Sequence, residues 1–206
     1  MIEKIGVLCQ DPNSFGFVLG LQQRLRCDAK LFQPTTASLT KSAMMTRRQA
    51  KLAWTILSRN RVDLVIRFTD ADEHRWQDVQ RHEIDMFPEE MRSLLVCGVA
   101  DNNTEQWLAL DPSYISNALD LKPHSLSSPE DITGTIKNAI AIKRPADKPV
   151  HEVTASLVKD APHDVFQNWL HKSPLLRDFY SNCRAAALGA NCDVPNELDD
   201  LADDAD

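Results

Sequence analysis

The sequence predicts an α/β protein with a mostly parallel sheet of about four strands flanked by helices, followed by a C-terminal helical annex. Its first 121 residues alternate short apolar runs with longer amphipathic runs, which is typical of strand–helix–strand units. The run LLVCGV at residues 94–99 is almost wholly apolar, as expected for a strand covered on both faces. After Leu121 the sequence changes to turn formers and helical patterns.

The first half of the predicted sheet lies within the first 60 residues. A strand at residues 4–9 is bounded by the turn formers QDPNS, and Ser14 suits the N-cap of the helix that follows. A short, weak strand is expected at residues 29–33. A helix is expected at residues 41–60, because its apolar residues share one face and its basic residues fall on another.

The second half of the sheet and the annex follow in the same order along the chain. Residues 62–68 carry the β-branched and aromatic side chains of a buried strand, and residues 73–92 are charged and predicted to be helical in part. Towards the C-terminus, the Ser173–Pro174 step predicts the start of a helix that Gly189 can end.

The sequence divides into three predicted parts. Residues 1–121 form the α/β core, residues 122–192 form the helical annex packed on that core, and residues 193–206 form a disordered acidic tail. The net charge is −7, and the tail alone holds seven acidic residues and no basic one, so residues 1–192 are formally neutral. The tail is expected to act as a solubilising end, or else to dock on a basic partner or compete with nucleic acid for a basic face.

Composition excludes several classes of protein. No stretch approaches 18 consecutive apolar residues, and the first residues lack the pattern of a secretory leader, so neither membrane spanning nor export is expected. The five cysteines are odd in number and show no repeated spacing, unlike a disulfide framework. We therefore expect a cytoplasmic protein.

Three predicted strands end in polar or acidic residues. Gln10 and Asp11 follow the first strand, Thr69 to Asp72 follow the third, and Asp101 to Glu105 follow the fourth. The carboxyl ends of parallel strands form the crevice in which α/β proteins bind ligands, so we expect these side chains to converge.

Asp70 and Asp72 are the strongest candidate ligands for a metal ion. Residues i and i+2 of an extended backbone project to the same side, and two neighbouring carboxylates tend to take up a proton, find basic partners or bind a divalent cation. Mg²⁺ prefers such oxygen ligands, and metal-assisted phosphoryl transfer would follow. Alternatively, the pair forms a loop and caps the next helix.

Glu105 is expected near the end of the fourth strand, in the first turn of a helix with Thr104 as its N-cap. There it would face the region of Asp70. The alternative is that Glu105 only complements the helix N-terminus. Trp107 in the same helix is more typical of a core anchor than of a surface on which bases stack.

These segments together resemble the Toprim fold. GVLCQDPNSFGFVLGLQQRL, the strand ending in FTDADE, and VCGVADNNTEQWLALD are similar in order and spacing to a bacterial Toprim-like family related to the nuclease domains of OLD-family proteins. The segments SPEDI and KSPLLRDFYSNCRAA also resemble distal segments of that family, so the resemblance spans most of residues 1–190.

The resemblance implies a set of site residues. Asp70, Asp72 and Glu105 match the metal-binding acidic residues, with Mg²⁺ or Mn²⁺ as the cofactor, and Gln10 stands where the family has a catalytic Glu. An amide can serve neither as a carboxylate base nor as a charged ligand, although the adjacent Asp11 can substitute if the turn presents it inward. The site is therefore either rearranged or degenerate.

A basic stripe on the predicted second helix is a candidate nucleic-acid surface. Phosphates attract basic side chains, although a solvated helix face has the same composition. The candidate contact residues are Arg47, Arg48, Lys51 and Arg59.

The leading hypothesis is a Toprim-like, Mg²⁺-dependent nuclease or phosphodiester-processing protein, with roles in phage defence or DNA maintenance, as the resemblance implies. The alternative is a catalytically degenerate Toprim-like binding or regulatory subunit that acts through a protein partner such as an ATPase or another defence component. A structural or immunity-type protein that uses the same surface for protein contacts is the third hypothesis.

Overall fold

Four parallel strands form the only sheet in the described part of the chain, and their spatial order is β2-β1-β3-β4. The computed structural model describes residues 2–34, 44–122, 125–126, 131–189, 192 and 194–195. The strands are β1 (Lys4–Cys9), β2 (Lys30–Phe32), β3 (Leu64–Asp70) and β4 (Leu95–Ala100). This sheet, flanked by helices and followed by a C-terminal helical region, confirms the predicted fold class.

Ten helices are assigned in the described residues. Those that connect or follow the strands are α1 (Pro12–Arg24), α2 (Arg47–Arg59), α3 (Trp76–Met86), α4 (Glu89–Arg92), α5 (Thr104–Leu108) and α6 (Pro112–Ala118). The C-terminal ones are α7 (Ile132–Lys143), α8 (Val150–Lys159), α9 (His163–Lys172) and α10 (Pro174–Gly189).

Helices cover both faces of the sheet. On one face, a cluster that includes Phe17, Phe68 and Phe179 joins α1, β3 and α10. On the other face, a cluster that includes Leu57 and Val65 joins α2 to the sheet. Because successive strand residues point to opposite faces, β3 contributes Ile66 and Phe68 to the first cluster and Val65 to the second.

Helices α1 and α8 approach each other closely at two glycines. A Cβ atom built on Gly16 would lie 2.4 Å from the carbonyl oxygen of His151, and one on Gly20 would lie 2.7 Å from that of Ala155. The absence of side chains at these two positions lets α1 pack directly against α8. The hydrophobic cluster on this face contains residues of β1, β3, α8, α9 and α10, so the C-terminal helices share a core with the sheet.

The predicted starts of three helices are wrong by a few residues. Asp11, not Ser14, caps α1, and Asn103, not Thr104, caps α5. Helix α2 begins at Arg47, not at 41, because Thr46 and Gln49 form a reciprocal capping box; residues 41–43 lie outside the described part. The predicted cap at Ser173 is confirmed, since its Oγ accepts a hydrogen bond from the backbone N–H of Leu176 at 3.2 Å.

Two further predictions concern the acidic tail and membrane spanning. The predicted acidic tail at 193–206 lies outside the described residues except for 194–195. None of the described helices combines the length and the apolar character needed to cross a membrane.

Candidate functional site

The candidate site lies at the carboxyl edge of the sheet, where β1 and β3 are neighbours. Helix α1, which follows β1, packs on one face, whereas α3, which follows β3, packs on the other. Chains that leave adjacent strands in opposite directions open a crevice between them, and this is where doubly wound α/β proteins bind ligands. Asp11, Asp70 and Glu105 come together here, and we call their three carboxylates the acidic cluster.

Asp70 is the last residue of β3 and is only 3% exposed. Its Oδ1 accepts hydrogen bonds from the backbone N–H of Thr104 at 2.9 Å and from the Thr104 hydroxyl at 2.8 Å. Burial raises the pKa of Asp70 to about 7 against the opposing effect of the Thr104 hydroxyl, and the charges of Asp11 and Glu105 raise it further. The carboxyl group therefore carries only part of its charge at neutral pH.

Glu105 lies in the first turn of α5 and is completely buried. Its Oε1 accepts a hydrogen bond from the side-chain amide of Asn13 at 2.8 Å, whereas its Oε2 has no hydrogen-bond partner among the described residues. Burial raises the pKa of Glu105, while Lys137 and Asn13 oppose that rise. A buried carboxylate oxygen without a donor is costly, so this atom marks a place that suits a cation.

One carboxylate oxygen of Asp11 caps a helix, and the other lies near a lysine. Its Oδ1 caps α1 by accepting a hydrogen bond from the backbone N–H of Ser14 at 2.8 Å. Its Oδ2 lies 3.9 Å from Nζ of Lys137, and the same ammonium lies 3.7 Å from Oε2 of Glu105. Lys137 is 44% exposed and spans two of the three carboxylates.

Gln10 has a structural role at the same edge. Its Oε1 accepts hydrogen bonds from the hydroxyl of Thr69 at 3.1 Å and from the backbone N–H of Asp70 at 3.3 Å. The amide thus continues the link between β1 and β3 beyond the last paired residues, Cys9 and Phe68. It holds Asp70 in place without contributing a charge.

Asp72 is not part of the acidic cluster. It is exposed, and its backbone has a φ of +49°, so the extended geometry that would align it with Asp70 ends before it. Its N–H donates a hydrogen bond to the carbonyl oxygen of Asn102 at 2.7 Å, which places it in a turn against the β4–α5 loop. The described residues contain no group of three or more His, Cys, Asp or Glu side chains arranged to hold a metal ion.

The remaining candidate residues divide between core and surface. Trp107 is a core residue, with its ring centroid 5.6 Å from those of Phe17 and Phe68. Arg67, in β3, is fully buried and donates from Nε to Oε2 of Glu83 at 2.6 Å. The basic residues of α2 are all exposed: Arg47, Arg48, Lys51 and Arg59.

Sequence reasoning missed two contributors to the site. Lys137 comes from α7, and nothing in its surrounding sequence singles it out. Asn13 lies in the turn-forming QDPNS segment, where its type indicates only a loop. In the structure its amide donates to Glu105, and its Oδ1 accepts a hydrogen bond from the hydroxyl of Thr154 at 3.2 Å.

The chain matches no protein-family model, and comparisons with curated proteins and with solved structures found no match either. The Toprim resemblance therefore stays a prediction.

Proposed function

We propose that the protein is a Toprim-like, divalent-cation-dependent enzyme that hydrolyses phosphodiester bonds of nucleic acids at the acidic cluster. The observation that carries this proposal is an excess of carboxylates at a poorly solvated edge of the sheet, where Asp70 and Glu105 are buried. The charges of Asp11 and Glu105 both act on Asp70. Among the described residues a single ammonium, that of Lys137, lies within 4 Å of the acidic cluster, and it reaches only Asp11 and Glu105. A bound cation would offset this excess.

The carboxylate oxygens of the acidic cluster are ligands that suit Mg²⁺ or Mn²⁺. Magnesium is commonly held by one or two carboxylates, with water and substrate phosphate as its other ligands, so a third acidic ligand is not required. Asp70 and Glu105 would hold the ion, since both are buried and Glu105 Oε2 has no donor among the described residues. The ion would polarise a phosphoryl oxygen and lower the pKa of a bound water.

The protein's own residues would position these groups and the substrate. Thr104 and Asn13 fix the carboxylates of Asp70 and Glu105. Lys137 is exposed enough to turn towards a substrate phosphate, to which its ammonium would bind as a point charge. Because Gln10 cannot accept a proton as a carboxylate does, we assign that role to Oδ2 of Asp11, which is not used in the helix cap.

The basic residues of α2 suggest how a nucleic acid would approach. A helix that connects parallel strands runs antiparallel to them, so α2 starts at the same sheet edge as the acidic cluster. Arg47 and Arg48, in its first turn, are exposed and would contact phosphates flanking the cleaved bond. Lys51 and Arg59 extend this basic surface along the helix.

A second function is favoured by Gln10 and Lys137. An amide stands at the first acidic position of the resembled family, and an ammonium lies between two carboxylates. Both features suit a Toprim-like core that binds a protein partner, such as an ATPase, without catalysis. In that case Lys137 permanently offsets part of the negative charge of the acidic cluster.

Calorimetric titration with Mn²⁺ and a cleavage assay on DNA and RNA separate the two functions. The informative variants are Asp70→Asn and Glu105→Gln, and the matched control is Asp72→Asn, since asparagine tolerates the positive φ at position 72. The enzyme hypothesis requires cation binding and cleavage that both variants abolish and the control retains. Absence of binding at millimolar Mn²⁺ in the wild-type protein would support the non-catalytic module.

A further inference from the structure

The thiols of Cys27 and Cys192 are in contact although 165 positions separate them in the sequence. Their sulfur atoms lie 2.8 Å apart. Cys27 is in the turn between α1 and β2, and Cys192 follows the end of α10. The contact therefore joins the first connection of the sheet to the segment that follows the last helix.

Hydrogen bonds hold the backbone on both sides of this contact. The side-chain amide of Gln22 donates to the carbonyl oxygens of Cys27 and Ala29, the latter at 2.9 Å. The N–H of Cys192 donates to the carbonyl oxygen of Ala187 at 3.1 Å, and the N–H of Val194 donates to Cys192 O at 3.0 Å. The backbone of each cysteine is thus hydrogen-bonded to nearby residues, which helps to present the two side chains to each other.

We infer that Cys27 and Cys192 are a disulfide-forming pair that closes when the protein meets a small-molecule disulfide such as oxidised glutathione. A disulfide bond is about 2.05 Å long, so the sulfur atoms need to approach by less than about 1 Å. Cys192 is half-buried, whereas Cys27 is 7% exposed, so Cys192 is the thiol that an oxidant reaches first.

The exchange proceeds in two balanced steps. The Cys192 thiolate attacks one sulfur of oxidised glutathione, which forms a mixed disulfide and releases one glutathione thiolate. The Cys27 thiolate then attacks Sγ of Cys192 and displaces the second glutathione thiolate. The two cysteine protons pass through solvent to the two released thiolates, so the protein pair is oxidised and the glutathione is reduced by two electrons.

The reaction should be selective for this pair. The other three cysteines, Cys9, Cys97 and Cys183, are all buried, and burial raises the pKa of Cys97 and of Cys183 to about 12. Burial and the neighbouring Cys27 also raise the pKa of Cys192 to about 12, so its thiolate is scarce and the first step is slow. Proximity favours the second step, because it is intramolecular.

The disulfide would fasten the C-terminal segment at the sheet edge opposite the acidic cluster. The backbone N–H of Lys30, three residues after Cys27, donates to the carbonyl oxygen of Glu3, so the turn lies at the amino end of β1. The six residues of β1 then separate it from Gln10 by roughly 20 Å at about 3.3 Å per residue. Oxidation should therefore leave Mn²⁺ binding unchanged, which keeps this inference independent of the proposed function.

The test counts free thiols in the full chain after incubation with oxidised glutathione. The protein is alkylated with iodoacetamide in denaturant, and its intact mass is measured. The oxidised protein should carry three carbamidomethyl groups, whereas the reduced protein carries five. Digestion should yield one linked pair of peptides that contain Cys27 and Cys192. The melting temperature should rise by roughly 5 to 15 °C and return on reduction, since the bond closes a long loop.

Cys27→Ser and Cys192→Ser are the matched variants, and the second changes a half-buried residue that should not affect folding. Cys192→Ser should take four carbamidomethyl groups with or without oxidant. Cys27→Ser should take three groups and one glutathione after the oxidant, because its mixed disulfide has no second thiol to resolve it. Neither variant should show a rise in melting temperature. The inference is overturned if the oxidised wild-type protein still takes five groups. It is also overturned if the linked peptides contain another cysteine.

Discussion

Thr104 holds the carboxylate of Asp70 with two groups at once, its backbone N–H at 2.9 Å and its hydroxyl at 2.8 Å. The two residues are 34 positions apart, on α5 and at the end of β3. The hydroxyl of Thr104 also lies 3.2 Å from that of Ser14, in α1. This contact connects the ends of three elements at the acidic cluster.

Replacement of Thr104 by valine removes the hydroxyl donor and keeps the shape of the side chain. We expect the free energy of unfolding to fall by about 1 to 3 kcal/mol, because buried Asp70 loses one of its donors. Urea denaturation measures the change. Thr55→Val is the control, since that hydroxyl donates to the Lys51 carbonyl on an exposed helix face, and its effect should stay within about 0.5 kcal/mol. If Thr104→Val and Thr55→Val lower the free energy of unfolding equally, the hydroxyl contact with Asp70 does not contribute the expected stability.

Asp70 should make stability depend on pH. Its pKa of about 7 in the folded chain lies above the value of about 3.9 of an unfolded aspartate, so the folded state binds more protons between these values. Its contribution to stability is therefore complete below about pH 4, falls as the pH rises through 7 and stays low above it. The loss amounts to at most about 4 kcal/mol for a shift of about three units.

The measurement compares the wild-type protein with Asp70→Asn in the presence of a chelator. Asparagine retains the oxygen that accepts the Thr104 hydrogen bonds but has no charge. As the pH rises from 4 to 8, the free energy of unfolding of the wild-type protein should fall relative to that of the variant. A difference that does not change with pH would contradict the raised pKa.

Lys137 should stabilise the ionised form of Glu105. In Lys137→Met the pKa of Glu105 should rise further, because an opposing charge is removed from a buried carboxylate. The free energy of unfolding at pH 8 should fall by only on the order of 1 kcal/mol, since the ammonium is partly solvated. The loss should be smaller at pH 5, because the raised pKa of Glu105 leaves less of its charge to stabilise at lower pH. Carboxyl chemical shifts followed by NMR report the pKa directly. Lys148→Met, which removes an exposed pair with Glu152, is the control.

The buried ion pair of Arg67 and Glu83 should be sensitive to the loss of one partner. Both side chains are inaccessible to solvent, and Glu83 Oε1 also accepts a hydrogen bond from the backbone N–H of Met45 at 2.7 Å. Arg67→Met should lower the free energy of unfolding by about 3 to 5 kcal/mol, because it leaves a buried carboxylate without its cation. Arg81→Met breaks an exposed pair with Asp78 and should cost less than about 1 kcal/mol. Similar losses in the two variants would contradict this argument.

The strands were predictable because their signal is local. Lys4–Cys9 is the predicted first strand, and the other strands differ from their predicted bounds by one or two residues. Helix starts were less predictable, since several residues that can cap a helix lie side by side in QDPNS and DNNT. Asn103 caps α5, while the hydroxyl of Thr104 donates to Asp70. Which of the two residues is the cap therefore depends on the neighbouring strand, which carries Asp70.

The candidate site was predictable only in part. Asp70 and Glu105 could be identified because polar residues that follow parallel strands lie at one sheet edge. The pairing of Asp70 with Asp72 failed because it assumed an extended backbone through position 72, where φ is +49°. Lys137 and Asn13 carried no local signal, since their roles arise from contacts with a side chain 32 or 92 positions away.

The sequence by itself determined the alternation of strands and helices and the polar residues at the strand ends, because burial pattern and turn chemistry act over a few neighbouring residues. Tertiary structure decided which of those residues meet. The sheet order β2-β1-β3-β4 places Gln10 beside Asp70, and helix packing brings Lys137 to Glu105 and Cys192 to Cys27. Such contacts depend on the free energy of the whole packed chain, to which distant segments contribute together, so no local pattern specifies them.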